Sequence, residues 1–134
     1  MKGNVTKQKP CVLIVEDDKE NQKYLGLILK KNYDVEFCDS STSFFDLLAQ
    51  KQYSAIIMDI TLKGEKNGLE LTRELKNSKV YKNIPVVALS AHVFSQDRTK
   101  ALDAGVKVYL TKPVDNKTLI NTLHNLVKPG VIKK

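Results

Sequence analysis

The chain has 134 residues, 42% of them hydrophobic, which is the size of one domain and leaves no room for a second. Its net charge of +7 is carried by its ends: Lys2, Lys7, Lys9, Lys128, Lys133 and Lys134 supply six of those charges and leave +1 for residues 11–127. A basic nucleic-acid-binding face is therefore excluded, and the charges read as solubilising tails. No purely apolar run exceeds five residues, far below the roughly 18 that span a bilayer, and residues 1–10 lack the apolar stretch of a secretory signal.

The first strand is read over residues 11–15, a continuous apolar run. A helix follows over about 19–31, with Tyr24, Leu25, Ile28 and Leu29 as one buried stripe. The second strand covers 35–38. Cys11 opens the first strand and Cys38 ends the second, so on parallel neighbours they would lie roughly 13 Å apart. That is too far for a disulfide and predicts free thiols. His92 and His124 stand alone, without zinc-ligand spacing.

Residues 40–43 (SSTS) offer caps for a helix over 44–50, and the third strand is 55–58. A loop over 61–67 leads to a helix over about 69–77. Pro85 opens the fourth strand, 86–89, followed by a weaker helix over about 95–104. Gly105 stands where a helix-ending glycine belongs. The fifth strand is read as 106–110. The last helix is read as about 115–127, with Leu119, Ile120, Leu123, Leu126 and Val127 on its apolar face, and Pro129-Gly130 stops it.

Five apolar strands alternating with five helices predict a small doubly wound α/β fold with a parallel sheet covered on both sides. Such folds place their site beyond the carboxyl ends of the strands. There the sequence puts Glu16-Asp17-Asp18, Asp59, Ser90 and Thr111-Lys112-Pro113. Clustered carboxylates repel one another unless a cation intervenes, and an all-oxygen donor set favours Mg²⁺ over zinc. The hydroxyl and the ammonium suit the oxygens of a phosphoryl group. Singly, each residue has a plainer reading: Asp18 a helix cap, Asp59 the start of a loop, Ser90 a turn cap, Lys112 a solvated charge. Their joint occurrence at four strand ends favours function.

The segments VLIVEDD, IIMDI, VVALSAH, ALDAG and YLTKP, in this order and spacing, resemble the response-regulator receiver domain over about residues 10–128. Residues 1–9 and 129–134 are then short tails. The resemblance implies a flavodoxin-like five-stranded sheet of order 2-1-3-4-5. It implies Asp59 as phosphoacceptor, and Glu16, Asp17, Asp59 and the Thr61 backbone carbonyl as the Mg²⁺ site. Lys112 and Ser90 would meet the phosphoryl oxygens with help from the Ala91 amide. Thr61 and His92 would flank the group and tune its lifetime, although His92 reads equally as an exposed surface histidine; His124, on the last helix, reads as a plain surface residue. Tyr109 resembles the aromatic that turns inward when Ser90 moves; as an ordinary strand residue it would be a rim-exposed tyrosine. The Lys112–Pro113 bond is expected to be cis.

The implied function is a cytoplasmic phosphorelay receiver rather than an enzyme acting on other substrates. It would take its phosphoryl group from a sensor histidine kinase or a histidine phosphotransfer protein. It would signal to a protein effector through the face of the fourth helix, fifth strand and fifth helix, without nucleic acid or membrane. A stand-alone receiver, the receiver of a hybrid kinase and the receiver of a longer regulator remain open; Asn21 and the segment SAHVFSQDR look more like hybrid-kinase receivers and their single-domain relatives. The loop after Asp59 departs from the common pattern, with Lys63 where many relatives have proline and one extra residue before Gly68. A phosphohydrolase of the haloacid-dehalogenase type uses similar groups, but Thr61 stands where that chemistry needs a carboxylate. A nucleotide-binding module would need a glycine-rich loop after the first strand, and acidic residues occupy that place.

Overall fold

In the computed structural model, which describes residues 9–62, 65–91 and 94–127, strands and helices alternate from end to end. The order is β1 (Cys11–Val15), α1 (Lys19–Leu29), β2 (Asp34–Cys38), a 3₁₀ turn (Ser41–Ser43), α2 (Phe44–Gln50), β3 (Ala55–Asp59), α3 (Gly68–Lys76), β4 (Val86–Ser90), α4 (Ser95–Ala104), β5 (Val108–Thr111) and α5 (Asn116–Val127). All neighbouring strands run parallel, in the order β2-β1-β3-β4-β5. The doubly wound, flavodoxin-like architecture is as expected. The chain reverses its winding between β1 and β3, which places the switch point where their carboxyl ends meet.

The strand alternation separates two cores. Val12, Ile14, Ala55, Ile57, Val87 and Leu89 point to one face, where Leu25 and Leu29 of α1 and Leu119 and Leu123 of α5 cover them. Leu13, Val15, Ile56, Met58, Val86 and Ala88 point to the other, under Phe44, Leu48, Leu71, Leu75 and Ala101 of α2, α3 and α4. Each fully buried aliphatic side chain contributes about 1.5–3 kcal/mol, so the central strands β1, β3 and β4, buried along almost their whole length, form the rigid platform. The strand register puts Cys11 opposite Asp34 and Cys38 opposite Val15, and both thiols are free.

Local chemistry sets the element ends. Asp18 caps α1 by accepting the Asn21 N–H at 3.1 Å. Asn67 and Glu70 form a reciprocal capping box at α3. α4 ends on Gly105 at φ 116°, the left-handed conformation that glycine adopts without steric cost.

Three expectations need correction. Tyr24 is not part of the buried stripe of α1: it is 43% exposed, and its hydroxyl reaches across to donate to the Val114 carbonyl at 2.9 Å. An amphipathic side chain of this kind lays its ring along the surface and satisfies its polar tip elsewhere. Helix α1 stops at Leu29, two residues early, where the Asn32 and Tyr33 amides turn back to the Leu29 carbonyl. Strand β5 starts at Val108 rather than 106, because Gly105 and Val106 are still bonded to the last turn of α4 through the Ala101 carbonyl.

Candidate functional site

At the switch point, β1 delivers Glu16 and Asp17, and β3 delivers Asp59 as its last residue. One ligand oxygen from each lies within 4.8 Å of the others. Glu16 and Asp59 are 2% and 3% exposed. Burial, with the Asp59 charge adding to it, pushes the Glu16 carboxyl above the ordinary carboxylate range, while the Asp18 amide and Lys112 pull the other way.

Lys112 enters from the end of β5. Its Nζ lies 3.4 Å from Glu16 Oε1 and 3.6 Å from Asp59 Oδ1. The Lys112 N–H donates to the Ser90 carbonyl at 2.8 Å, which ties the lysine's backbone to the end of β4. The Lys112–Pro113 peptide is cis, as expected. Three carboxylates against one ammonium leave net negative charge in the cleft. Among the described residues the cluster offers oxygen donors, without a thiolate or imidazole, and these are the chemistry that holds a hard divalent cation such as Mg²⁺. The residues present therefore fit that ion.

Ser90, the last residue of β4, is fully buried and pairs in register with Thr111. Ala91 follows it and is exposed. Thr61 is also exposed, and it grips Asp59: its N–H and its hydroxyl both donate to Asp59 Oδ1, at 3.0 and 2.8 Å. Tyr109 lies inward at 5% exposure, with the Arg98 guanidinium 6.0 Å from its ring centroid. His124 is exposed on α5, as expected. His92 and the Lys63 and Gly64 positions lie outside the described residues.

Two contacts escaped sequence reasoning. The Gln22 amide donates to the Glu16 carbonyl at 2.7 Å, and Tyr24 holds the chain just after Pro113. The first had a signal: Gln22 stands three and seven residues before Leu25 and Leu29, on the helix face that is buried. Gly68 was visible only as a loop glycine. A Cβ there would stand 2.3 Å from the Asp59 carbonyl oxygen and 3.0 Å from Ile60 Cα. The start of α3 can lie this close to the end of β3 only because the residue is glycine.

A buried aspartate at the switch point of a parallel sheet, gathered with two acidic residues and a lysine, places the site among the doubly wound α/β folds that collect their functional groups beyond the carboxyl ends of the strands. The family model described as "Response regulator receiver domain" matches residues 12–124, and the chain belongs to that family. It is 33% identical over 113 residues to the polar-differentiation response regulator DivK of Brucella ovis, with 84% of this chain and 91% of that protein aligned. It is 36% identical over 83 residues to histidine kinase 1 of Arabidopsis thaliana, covering 60% of this chain but only 7% of that kinase. Among solved structures, it resembles the receiver domain of a sensor histidine kinase from Pseudomonas aeruginosa PAO1, at TM-score 0.81 and 28% identity, with 90% of this chain and 98% of that one covered. That structure has a magnesium ion coordinated in its active-site cleft.

Proposed function

We propose that this chain is a phosphorelay receiver in which Asp59 accepts a phosphoryl group from a phosphohistidine donor. The observation that carries this reading is the placement of the buried Asp59 carboxylate within one cluster with Glu16, Asp17 and the Lys112 ammonium. Glu16, Asp17, Asp59 and the Thr61 backbone carbonyl would hold Mg²⁺. The bound ion would neutralise the clustered carboxylates and the charge that develops on the phosphoryl oxygens.

The chain's own residues do the remainder. Thr61 fixes one oxygen of Asp59, which presents the other to the phosphorus. A bond forms between that oxygen and phosphorus as the phosphorus–nitrogen bond of the donor histidine breaks, and the electron pair returns to the imidazole. Lys112, already within reach of both carboxylates, follows the negative charge onto the phosphoryl group. The Ser90 hydroxyl and the Ala91 amide meet its remaining oxygens, with Thr61 and His92 flanking. No carboxylate stands two residues after Asp59 to activate water, so the acyl phosphate persists as a signal.

Movement of Ser90 toward the phosphoryl group, with Tyr109 following, would shift the population of conformers at the face of α4, β5 and α5. A protein effector would read that face. The donor would be a sensor histidine kinase or a histidine phosphotransfer protein, in the cytoplasm. Residues 10–128 act as one receiver unit, whose catalysis is confined to its own phosphorylation and dephosphorylation. No nucleic acid is bound through it. Among the described residues no helix is long and apolar enough to cross a membrane.

The test is intact mass after incubation with acetyl phosphate, with and without Mg²⁺. Wild type gains one phosphoryl group only when Mg²⁺ is present, and Asp59→Asn gains none. Incorporation that survives in Asp59→Asn, or that ignores Mg²⁺, overturns the assignment.

A further inference from the structure

Glu16 and Asp17 are consecutive, and consecutive side chains on an extended strand point to opposite faces. Their carboxylates nonetheless lie within 4.8 Å of each other and of Asp59. Both acids stand just past the end of β1 at Val15, so the peptide that joins them sets where the two carboxylates point. What holds that peptide in place is visible in the hydrogen bonds of Glu16. Its N–H donates to the Cys38 carbonyl at 2.9 Å. Its Oε2 accepts the Asp18 N–H at 3.0 Å and its Oε1 faces Lys112 at 3.4 Å. Its carbonyl, the oxygen of the 16–17 peptide itself, accepts from the Gln22 side-chain amide at 2.7 Å.

Gln22 is 8% exposed. It is carried on the face of α1 that Leu25 and Leu29 seat against the sheet. The packing of the helix thus sets where the amide stands, and the amide sets the plane of the 16–17 peptide. We infer that Gln22 is a positioning residue for the metal-binding carboxylates: its amide holds the Glu16–Asp17 peptide in the orientation that brings both acids to one ion. Nothing in the family reading assigns it a role. The inference rests on the proposed Mg²⁺ site and concerns its assembly rather than the phosphoryl chemistry.

Gln22→Met keeps the length and most of the volume of the side chain and removes its amide, leaving the buried Glu16 carbonyl without its donor. The test measures Mg²⁺ dissociation constants by isothermal titration calorimetry, together with amide NMR shifts of Asp17 and Asp18 in metal-free protein. Self-phosphorylation by acetyl phosphate is then followed at limiting and at saturating Mg²⁺. The expected result is a dissociation constant raised about fivefold, the loss of one neutral hydrogen bond from the bound geometry. The Asp17 amide is displaced before any metal is added, and at saturating Mg²⁺ the rate returns to within about twofold of wild type.

Leu126→Ala, which loosens α5 away from the cluster, is the control for general destabilisation and leaves the Mg²⁺ constant unchanged. Gln22→Leu, which likewise lacks the amide donor and adds no charge, shifts the constant in the same direction as Gln22→Met and serves if the latter fails to fold. Mg²⁺ constants in both Gln22 variants equal to wild type, or raised equally in Leu126→Ala, overturn the inference. A wild-type protein that binds no Mg²⁺ overturns instead the receiver reading on which it rests.

Discussion

Lys112 sits between two carboxylates that are almost fully buried, 3.4 Å from one and 3.6 Å from the other, while its own side chain is 24% exposed. A charge held this way does two separable things. It offsets the repulsion of the acids in the resting protein, and it is available to the phosphoryl group during transfer. Lys112→Met separates them. Without Mg²⁺ the variant loses about 1–3 kcal/mol of stability, because two buried carboxylates are left without their cation. Added Mg²⁺ restores more stability to the variant than to wild type, since the ion now meets a more negative cluster. Self-phosphorylation at saturating Mg²⁺ falls roughly 10- to 100-fold, the scale of removing one preorganised charge from a transfer site. Urea denaturation with and without Mg²⁺, beside a phosphorylation time course, checks all three. A variant that self-phosphorylates at the wild-type rate would confine the lysine to holding the acids apart.

The elements place these groups because their ends are tied to one another. Ser41 Oγ accepts the Lys66 N–H at 3.4 Å, linking the turn after β2 to the loop before α3. The Lys76 ammonium donates to the carbonyls of Lys82 and Ile84, linking the end of α3 to the approach to β4. Of these joints the tightest is Gly68 against Asp59. In Gly68→Ala the new methyl group would meet backbone at 2.3 and 3.0 Å and the Met58 side chain at 3.0 Å. Backbone cannot yield as a flexible side chain tip does, so α3 must move off the end of β3. The expected cost is about 2–3 kcal/mol in urea denaturation, at the upper end of overpacking effects. Mg²⁺ binding weakens as well, because Asp59 is displaced with the strand end. A loss of stability with unchanged Mg²⁺ affinity would mean that α3 yields alone and the strand end stays.

At the scale of the whole molecule, both cores and the acidic cluster with Lys112 lie within residues 9–127, while five of the six terminal lysines lie outside it. A chain cut to residues 9–127 is therefore expected to keep the denaturation midpoint of the full chain and its Mg²⁺-dependent phosphorylation, while its net charge falls from +7 to +2. Its solubility at low ionic strength should decline accordingly. Calorimetric unfolding and the intact-mass assay on both lengths decide this. A truncated chain that unfolds several degrees earlier would make the tails part of the fold rather than its solubilising ends.

Much of this was legible in the order of residues. The continuous apolar runs at 11–15, 55–58 and 86–89 belong to strands buried on both faces, and the alternation with helix-period segments prescribes a parallel, doubly wound sheet. Once that sheet is accepted, Glu16, Asp17, Asp59, Ser90 and Lys112 must share one end of it, because parallel strands bring their carboxyl termini to the same side. What the sequence could not reveal depends on distances between residues far apart in the chain, or on angles of single peptides. Tyr24 has the polarity of a buried-stripe residue and the period of one, yet its hydroxyl bonds a carbonyl ninety residues away. Gln22 and Gly68 are ordinary as letters. Their roles come from a 2.7 Å hydrogen bond and a 2.3 Å approach that exist only when α1 and α3 are packed on the sheet. Periodicity and residue type determined which chemistry gathers at the switch point. Tertiary packing alone decided how closely the groups approach, because side-chain pattern is local to each element while contacts such as Gln22 on the Glu16 carbonyl come from a neighbouring helix.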